Sequence, residues 1–484
     1  MGNSVDFSGR PIHFIGIGGI GMSGLAYVLT QRGLPVSGSD LKSNHMTERL
    51  AAAGAHIFLQ QDASNLDFFD DRSSGHQTPQ IICSTAIGKN NSELTAALAQ
   101  GCPIFHRSDV LAAMIAEYYS IGVAGTHGKT TTSSAIGYML VAAGIDPTIV
   151  VGGEVTAWDG NACVGKSEYF VAEVDESDGS IVKHSPKIGV ITNIELDHPD
   201  HYKSLDQVID TFTTFTQQCQ VTIGSVDCQI VRERMNLTIS YSVEPDRLAD
   251  YTAREIDYHP AGTSAQIYEY GKLLGTLKLG VLGKHNLSNA LAAIAVGRKL
   301  KLEFPAIAAG LATFSGAKRR FELRGHQNNI TFIDDYAHHP SEILVTLSAA
   351  RLRVGAERRV VAVFQPHRYT RTLEFLAEFA RSFKDADLVV ITDIYSAGEA
   401  NTGIISGEKV VAEIGKYHPN VCYQPTLNEV SEFLTQNLQP GDICLFLGAG
   451  SLNQIIPDVV DFYRCSTGEP NRANLSSKQP ETVV

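Results

Sequence analysis

The residues with the most chemical content stand in one short segment, Gly125-Thr126-His127-Gly128-Lys129-Thr130-Thr131, directly after an apolar run over 119–124 and before a helix-like stretch. A glycine-rich turn between a strand and a helix presents backbone N–H groups and the positive end of the helix to an anion. Lys129 adds a point charge for the β- and γ-oxygens of a nucleotide, and the Thr130 hydroxyl stands where Mg²⁺ is ligated. The general phosphate-loop pattern has glycine five positions before Gly128, where this chain has Val123. The order strand, turn, Lys-Thr, helix is nonetheless complete, which an ordinary helix start capped by threonine leaves unaccounted for.

A nucleotide and metal site in an open α/β sheet draws further ligands from the carboxyl ends of neighbouring strands. Two acidic strand ends follow the loop: Glu173-Val174-Asp175-Glu176-Ser177-Asp178, and Glu195-Leu196-Asp197-His198-Pro199-Asp200-His201. Oxygen ligands suit Mg²⁺, whereas histidines alone would point to zinc. Upstream, Gly16-Ile17-Gly18-Gly19-Ile20-Gly21 follows a strand-like run and matches GxGxxG, with Asp40 at the end of the next strand. That geometry puts a pyrophosphate on a helix N-terminus and an acidic side chain on a sugar or base, and it serves any nucleotide diphosphate. Near the C-terminus, Asp334-Asp335-Tyr336-Ala337-His338-His339-Pro340 and Gln365-Pro366-His367-Arg368-Tyr369-Thr370-Arg371 each follow a strand. Arg368 and Arg371 lie three apart and converge if a helix starts there; two guanidinium forks fit a carboxylate or phosphate.

These groups need rigid elements to hold them. Short β-branched runs alternate with longer helical patterns, the signature of βαβ units and parallel sheets, and the pattern restarts three times. Strands are expected at 12–17, 119–124, 169–174, 188–194, 331–334, 359–364, 388–392 and 443–447, with helices at 22–32, 340–352 and 373–383. The stretches 265–270 and 272–279 read as an antiparallel subsheet. The basic, glycine-containing segment 315–320 reads as a connector, and the Ser- and Pro-rich tail 466–484 as a flexible terminus.

At 484 residues the chain is too long for one core. With 43% apolar and 19% charged residues it is an ordinary globular composition. Its net charge of -13 argues against a nucleic-acid or anionic-membrane partner, so any anionic ligand must meet locally arranged donors. No apolar run is long enough to span a bilayer and the N-terminus has no secretory pattern, so a cytoplasmic protein is expected. Eight dispersed cysteines without a CxxC read as reduced packing residues.

The ordered set GTHGKTT, EVDESD, NIELDH, Gly283-Lys284-His285-Asn286-Leu287-Ser288-Asn289-Ala290, Arg319-Arg320-Phe321, DDYAHHP and QPHRYTRT resembles the Mur ligases, ATP-dependent amide ligases of peptidoglycan synthesis. The likeness spans roughly residues 12 to 460, and GIGGIGMSG together with EVDESD and QPHRYTRT is similar to the members that add L-alanine to UDP-N-acetylmuramate. It implies three α/β domains: a Rossmann-like domain for the UDP-sugar (1–108), a central P-loop ATPase domain with a mostly parallel sheet (109–322) and a Rossmann-like domain for the amino acid (323–484). ATP would phosphorylate the lactyl carboxylate, and the alanine amine would displace phosphate from the acyl phosphate. Lys129, Glu173 and His198 take the catalytic roles in this resemblance, with Thr130, Glu173 and His198 as Mg²⁺ ligands. Gly125, Thr126, His127, Gly128, Lys129, Thr130, Thr131, His285, Asn289, Arg320 and Asp335 would hold ATP. Gly16, Gly18, Gly19, Gly21, Asp40, Ser84 and Arg107 would hold the UDP-sugar. Tyr336, His338, His367, Arg368 and Arg371 would hold alanine, with His338 and His367 both open as general base. Lys183 is not assigned, because the alanine-adding members are expected to do without the modified lysine of later ligases. The resemblance leaves monomer or homodimer open. Three other readings compete: a related ligase that loads a whole peptide, a non-catalytic nucleotide-gated binding protein, and an NAD-dependent oxidoreductase, which leaves the Lys129-Thr130 loop and the C-terminal motifs unused.

Overall fold

The computed structural model describes residues 4–69 and 78–466; the tail expected to be flexible lies, beyond Ser466, outside the described residues. The chain divides into two compact units, up to Lys318 and from Arg319 onward. The first unit holds two sheets and the second holds one.

The N-terminal sheet comprises β1 (Ile12–Ile15), β2 (Val36–Ser39), β3 (His56–Phe58), β4 (Gln80–Cys83) and β5 (Ile104–His106), interleaved with helices α1 (Ile20–Gln31), α2 (His45–Ala53), α3 (Ser92–Ala99) and α4 (Arg107–Glu117). All neighbouring strands are parallel, in the order β3-β2-β1-β4-β5. β1 is buried at every position, as a strand covered on both faces must be. Because β1 lies between β2 and β4, the chain leaves its carboxyl end at the point where the strand order reverses, the position at which open α/β sheets bind ligands.

The central sheet repeats that logic on a larger scale. Its strands are β6 (Tyr119–Ala124), β7 (Thr148–Val155), β8 (Gly160–Cys163), β9 (Tyr169–Glu173), β10 (Ile188–Ile191), β11 (Val221–Ser225), β12 (Ile239–Ser242), β13 (Tyr251–His259), β14 (Gly262–Glu269) and β15 (Lys272–Leu279). The order is β15-β14-β13-β12-β11-β10-β6-β9-β7-β8, parallel from β13 to β7 and antiparallel at both ends. Helix α5 (Lys129–Ala142) follows β6. β6 is flanked by β10 and β9, with Val123 opposite Glu173 and Ala124 opposite Ile191, so three loops leave level strand ends side by side. The strand expected over 188–194 stops at Ile191, because the residues from Thr192 on bind the loop after β6 instead of continuing the ladder.

The two sheets of this unit share a hydrophobic cluster, in which Met22, Leu25 and Val110 pack with Val150, Ala162, Phe170 and Phe212. Polar contacts reinforce it. Asn161 Nδ2 donates to Ile20 O and to Ser23 Oγ at 3.0 Å. The Arg49 guanidinium sits 3.7 Å above the Tyr27 ring and donates to Trp158 O and Ala162 O.

In the second unit β16 (Glu322–Gln327) pairs antiparallel with β17 (Ile330–Asp335), and β18 (Val360–Phe364), β19 (Leu388–Ile391), β20 (Val421–Tyr423) and β21 (Ile443–Leu447) complete a sheet of order β16-β17-β21-β18-β19-β20. The helix expected over 373–383 is instead two short helices, Tyr369–Glu374 and Leu376–Phe379, broken at Phe375. Phe375, Phe379 and Phe383 are all buried, so aromatic packing rather than one regular helix sets this segment. No helix among the described residues is long and apolar enough to cross a membrane.

His184, which follows the 3₁₀ turn Ser180–Lys183, is buried in the first unit, and burial lowers its pKa from 6.5 to about 4. The unfolded chain therefore takes up a proton here more readily than the folded one, and this contribution to stability falls as pH drops from 6.5 toward 4. The difference corresponds to about 3 kcal/mol. The stability advantage of the native chain over His184→Gln should shrink by about that amount between pH 7 and pH 4 in denaturant titrations; a constant difference would show that His184 is not buried neutral.

Candidate active site

Gly125 and Gly128 make the turn after β6. Both have positive φ, 139° and 80°, and a Cβ on Gly125 would fall 1.9 Å from Thr192 Oγ1. The turn is held from the exit of β10. Thr126 N–H donates to Asn193 O at 3.0 Å and His127 N–H to Asn193 Oδ1 at 2.9 Å. Asn193 Nδ2 and Thr192 Oγ1 both donate to His127 O, at 3.0 and 2.6 Å. Lys129, the first residue of α5, folds back over the turn. Its Nζ donates to Gly125 O at 2.7 Å and Thr126 O at 3.2 Å, and pairs with Glu176 Oε1 at 2.9 Å and Oε2 at 2.8 Å.

Burial opposes the charge on Lys129, but Glu176, Asp175 and Glu173 more than offset it and hold the amine protonated well above its usual range. Burial pushes the Glu176 carboxyl up to about 7 against the pull of Lys129. At Asp175 the charges of Lys129 and Arg107 and a hydrogen bond from Ser177 overcome burial and hold the carboxyl well below its usual range. Lys129 is thus a cation kept charged in a nearly dry setting, where a phosphoryl group gains most from it.

Thr130 is buried one residue further on, and Glu173 ends β9 beside β6. Glu173 Oε2 accepts Gly152 N–H at 2.6 Å. Glu173 Oε1 lies against Gly152, where a Cβ would meet it at 2.4 Å, and the Thr130 methyl Cγ2 faces Gly153, where a Cβ would meet it at 3.0 Å. The Glu173 carboxylate and the Thr130 hydroxyl are hard oxygen donors of the kind that suits Mg²⁺, and Gly152 leaves the space beside Glu173 clear of a side chain. His198 follows β10 with φ 53°, a conformation uncommon outside glycine and frequent at functional sites. Its Nε2 lies 3.8 Å from Glu176 Oε1 and 3.7 Å from Asp197 Oδ2. His127 Nε2 lies 3.4 Å from Glu195 Oε2. Thr131 continues α5. His285 and Asn289 stand in the first two turns of the helix Lys284–Lys299, and a Cβ on Gly128 would lie 3.0 Å from Asn289 Oδ1.

In the N-terminal sheet the glycine loop follows β1. Gly16 N–H and Ile17 N–H both donate to Ser39 O, at 2.8 and 2.9 Å, and Gly18 N–H donates to Asp40 Oδ2 at 2.9 Å. Asp40, expected on a ribose, therefore also shapes the loop. Gly19 caps α1, and Gly21 in its first turn faces Arg107, whose Nη1 would be 3.3 Å from a Cβ there. Arg107 begins α4 and pairs with Asp175 at 2.8 Å, so it joins the glycine loop to the acidic loop after β9. Ser84 directly follows β4.

The second unit gathers its candidates at the ends of β17 and β18. Asp335 is buried, which raises its carboxyl to about 6, and accepts N–H groups from Phe321 at 2.7 Å and Ala337 at 2.8 Å. Arg320 lies 5.3 Å over the Tyr336 ring and 3.9 Å from Glu342. Tyr336, His338 and His367 form a chain of rings 5.4 and 5.8 Å apart. Arg371 is 3% exposed, with Nη1 3.3 Å from His367 Nδ1. Arg368 has φ 69° and caps the helix Tyr369–Glu374, 3.8 Å from Glu399.

Three participants escaped the motif reading. Glu176 lay inside the quoted acidic run, but spacing alone does not say which of its carboxylates meets Lys129. Asn193 fell inside the strand expected over 188–194, and its bracing of His127 is a tertiary contact without a local signal. Tyr395 stacks on His367 at 5.7 Å across an isolated bridge between two loops.

Comparison with known proteins places these sites in a family. The model described as "Mur ligase family, catalytic domain" matches residues 11–119, "Mur ligase middle domain" 123–297 and "Mur ligase, glutamate ligase domain" 319–450. The chain is 66% identical to a UDP-N-acetylmuramate--L-alanine ligase of Nostoc punctiforme, over 95% of this chain and 98% of the relative. It is 56% identical to one of Synechocystis, over 94% and 98%. Among solved structures it is similar to the UDP-N-acetylmuramate-alanine ligase of Thermotoga maritima, with a TM-score of 0.79, 28% identity, and 94% and 99% of the two chains covered. A murein peptide ligase of Psychrobacter arcticus shares the fold at a TM-score of 0.68 and 23% identity. With three matching domains in order and these relatives over nearly its whole length, the chain belongs to the Mur ligase family.

Proposed function

We propose that the chain joins L-alanine to UDP-N-acetylmuramate, with ATP converted to ADP and phosphate through an acyl phosphate. The observation that carries the reading is Lys129 held charged at the glycine turn after β6, with Thr130 next to it in the chain and Glu173 at the end of the adjacent strand β9. The identity to alanine-adding relatives supports alanine over a whole peptide as the second substrate. In the oxidoreductase reading the Lys129 turn and the clustered arginine of the second unit have no task.

The roles follow from position. The turn N–H groups and Lys129 hold the ATP phosphates, and Lys129 moves from Glu176 toward the γ-phosphoryl group as negative charge shifts in transfer. Asn289 and His285 border the nucleotide beyond Gly128, and the family resemblance assigns Arg320 and Asp335 to ATP as well. Thr130 with Glu173 would hold one Mg²⁺ and His198 a second metal ion, and the ions would supply positive charge against the negative charge of the phosphoryl groups. The loop Gly16–Gly21 with Asp40, Ser84 and Arg107 binds the UDP-sugar. Arg371, fixed by His367, clamps the alanine carboxylate with Arg368, and Tyr336 and His338 line the same place. Clamping the carboxylate leaves the amine directed outward, and holding both reactants removes much of the entropic barrier. We assign domains 1–108, 109–322 and 323–484 to UDP-sugar, ATP and amino acid, in a cytoplasmic enzyme.

Phosphate release with each substrate omitted in turn tests the reading directly: release is expected only when ATP, UDP-N-acetylmuramate and alanine are all present, and release without the sugar nucleotide would overturn it. Lys129→Ala should abolish turnover and keep UDP-sugar binding, measured by calorimetry, because the two loops lie on different sheets. Arg371→Lys should raise the KM for alanine about tenfold or more, since a point charge replaces a planar fork; an unchanged KM would remove Arg371 from the amino-acid site.

A further inference from the structure

Beneath the glycine loop of the N-terminal sheet lies a polar cluster that the proposed reaction does not use. His13 on β1, Ser37 and Ser39 on β2, and Glu93 on α3 are each 0% exposed. Glu93 Oε1 is 3.1 Å from His13 Nε2 and accepts Asn65 Nδ2 at 2.7 Å, while Glu93 Oε2 accepts the Ser39 hydroxyl. His13 Nδ1 meets Ser37 Oγ at 2.8 Å. With the imidazole proton on Nε2 facing the carboxylate, Nδ1 accepts the Ser37 hydroxyl, and each polar atom of the ring has a partner. A buried carboxylate and imidazole are costly, and apolar residues of like volume often stabilise a core as well or better. Their presence calls for something that an apolar core would not supply.

That something is aim. Ser37 and Ser39 are alternate residues of β2, so both hydroxyls point to the same face of the strand. Glu93 grips Ser39 directly and Ser37 through His13. The Ser39 carbonyl in turn accepts Gly16 N–H and Ile17 N–H, and the next residue, Asp40, accepts Gly18 N–H. The path from α3 to the loop is therefore continuous: Glu93, Ser39, then the three N–H groups that give the loop its shape. We infer that Glu93, with His13, is a positioning residue for UDP-sugar binding, which sets the end of β2 and through it the glycine loop. This rests on the reading that the loop takes the UDP-sugar.

Two hydrogen bonds to Glu93 provide an internal comparison. The one from Ser39 leads to the loop. The one from Asn65, in the 3₁₀ segment Ala63–Phe69, leads away from it. Steady-state kinetics and thermal unfolding of Ser39→Ala, Asn65→Ala and Glu93→Gln in the full chain test the idea. Ser39→Ala and Glu93→Gln should raise the KM for UDP-N-acetylmuramate about tenfold, with kcat and the KM for ATP within about twofold. Asn65→Ala should lower the melting temperature and leave that KM unchanged. If Glu93→Gln does not fold, the contrast between Ser39→Ala and Asn65→Ala decides. Lowered melting temperatures with no rise in KM, or equal rises for both alanine variants, would overturn the inference. Gly18→Ala, whose Cβ would fall 2.8 Å from Asp40 Oδ2, separates the two readings. If it leaves UDP-sugar affinity intact, the loop is not the UDP site; if it weakens binding while Ser39→Ala does not, the positioning role alone fails.

Discussion

A protonated amine enclosed by its own protein is the constraint on which the central site depends. Lys129 Nζ has three hydrogens, and two loop carbonyls and Glu176 take them all. An ammonium group in such a place survives only with carboxylates around it, and this accounts for the acidic run after β9 in a chain whose substrates are themselves anions. The overall charge of -13 repels polyanions at a distance; under the proposed function a cation held charged by its neighbours would receive the ATP phosphates at close range. The carboxylates have a second effect. If Lys129 takes the ATP phosphates as proposed, they must displace Glu176 from it, and the affinity would be set by an exchange of one anion for another rather than by the lysine alone.

The sheets make this possible by parallel register. In each of the three, a strand lies between neighbours whose carboxyl ends stop at the same level, and the loops that leave them meet: after β1, β2 and β4; after β6, β9 and β10; after β17, β18 and β21. Short loops on a rigid parallel sheet can be exact about where a backbone N–H points, which side chains on long loops cannot.

Much of this was legible because strand ends carry both patterns at once: an apolar run that stops, and polar residues that begin. Lys129, Thr130, Glu173 and the glycines of both loops stand where the run lengths put them. What stayed hidden depends on distance in sequence. Glu93 is 80 residues from His13, and no spacing rule connects them. Glu176 could not be told from Asp175 or Asp178 without the turn that aims it. Asn193 read as the end of a strand, because binding to the loop after β6 competes with continuing the ladder and wins. The segment 373–383 read as one helix, whereas the packing of its buried aromatic residues breaks it at Phe375.

The hydrophobic cluster common to the first two sheets, with Asn161 and Arg49 across it, makes the glycine loop and the Lys129 turn parts of one solid body. Their separation is then a fixed length, like that between two sockets on one board. If the two loops take the ligands proposed for them, a molecule that mimics a sugar nucleotide at one end and a nucleoside phosphate at the other would find both places already spaced for it. A stiff linker of the right span would lose little freedom on binding, and the second contact would form at high effective concentration without any new interaction.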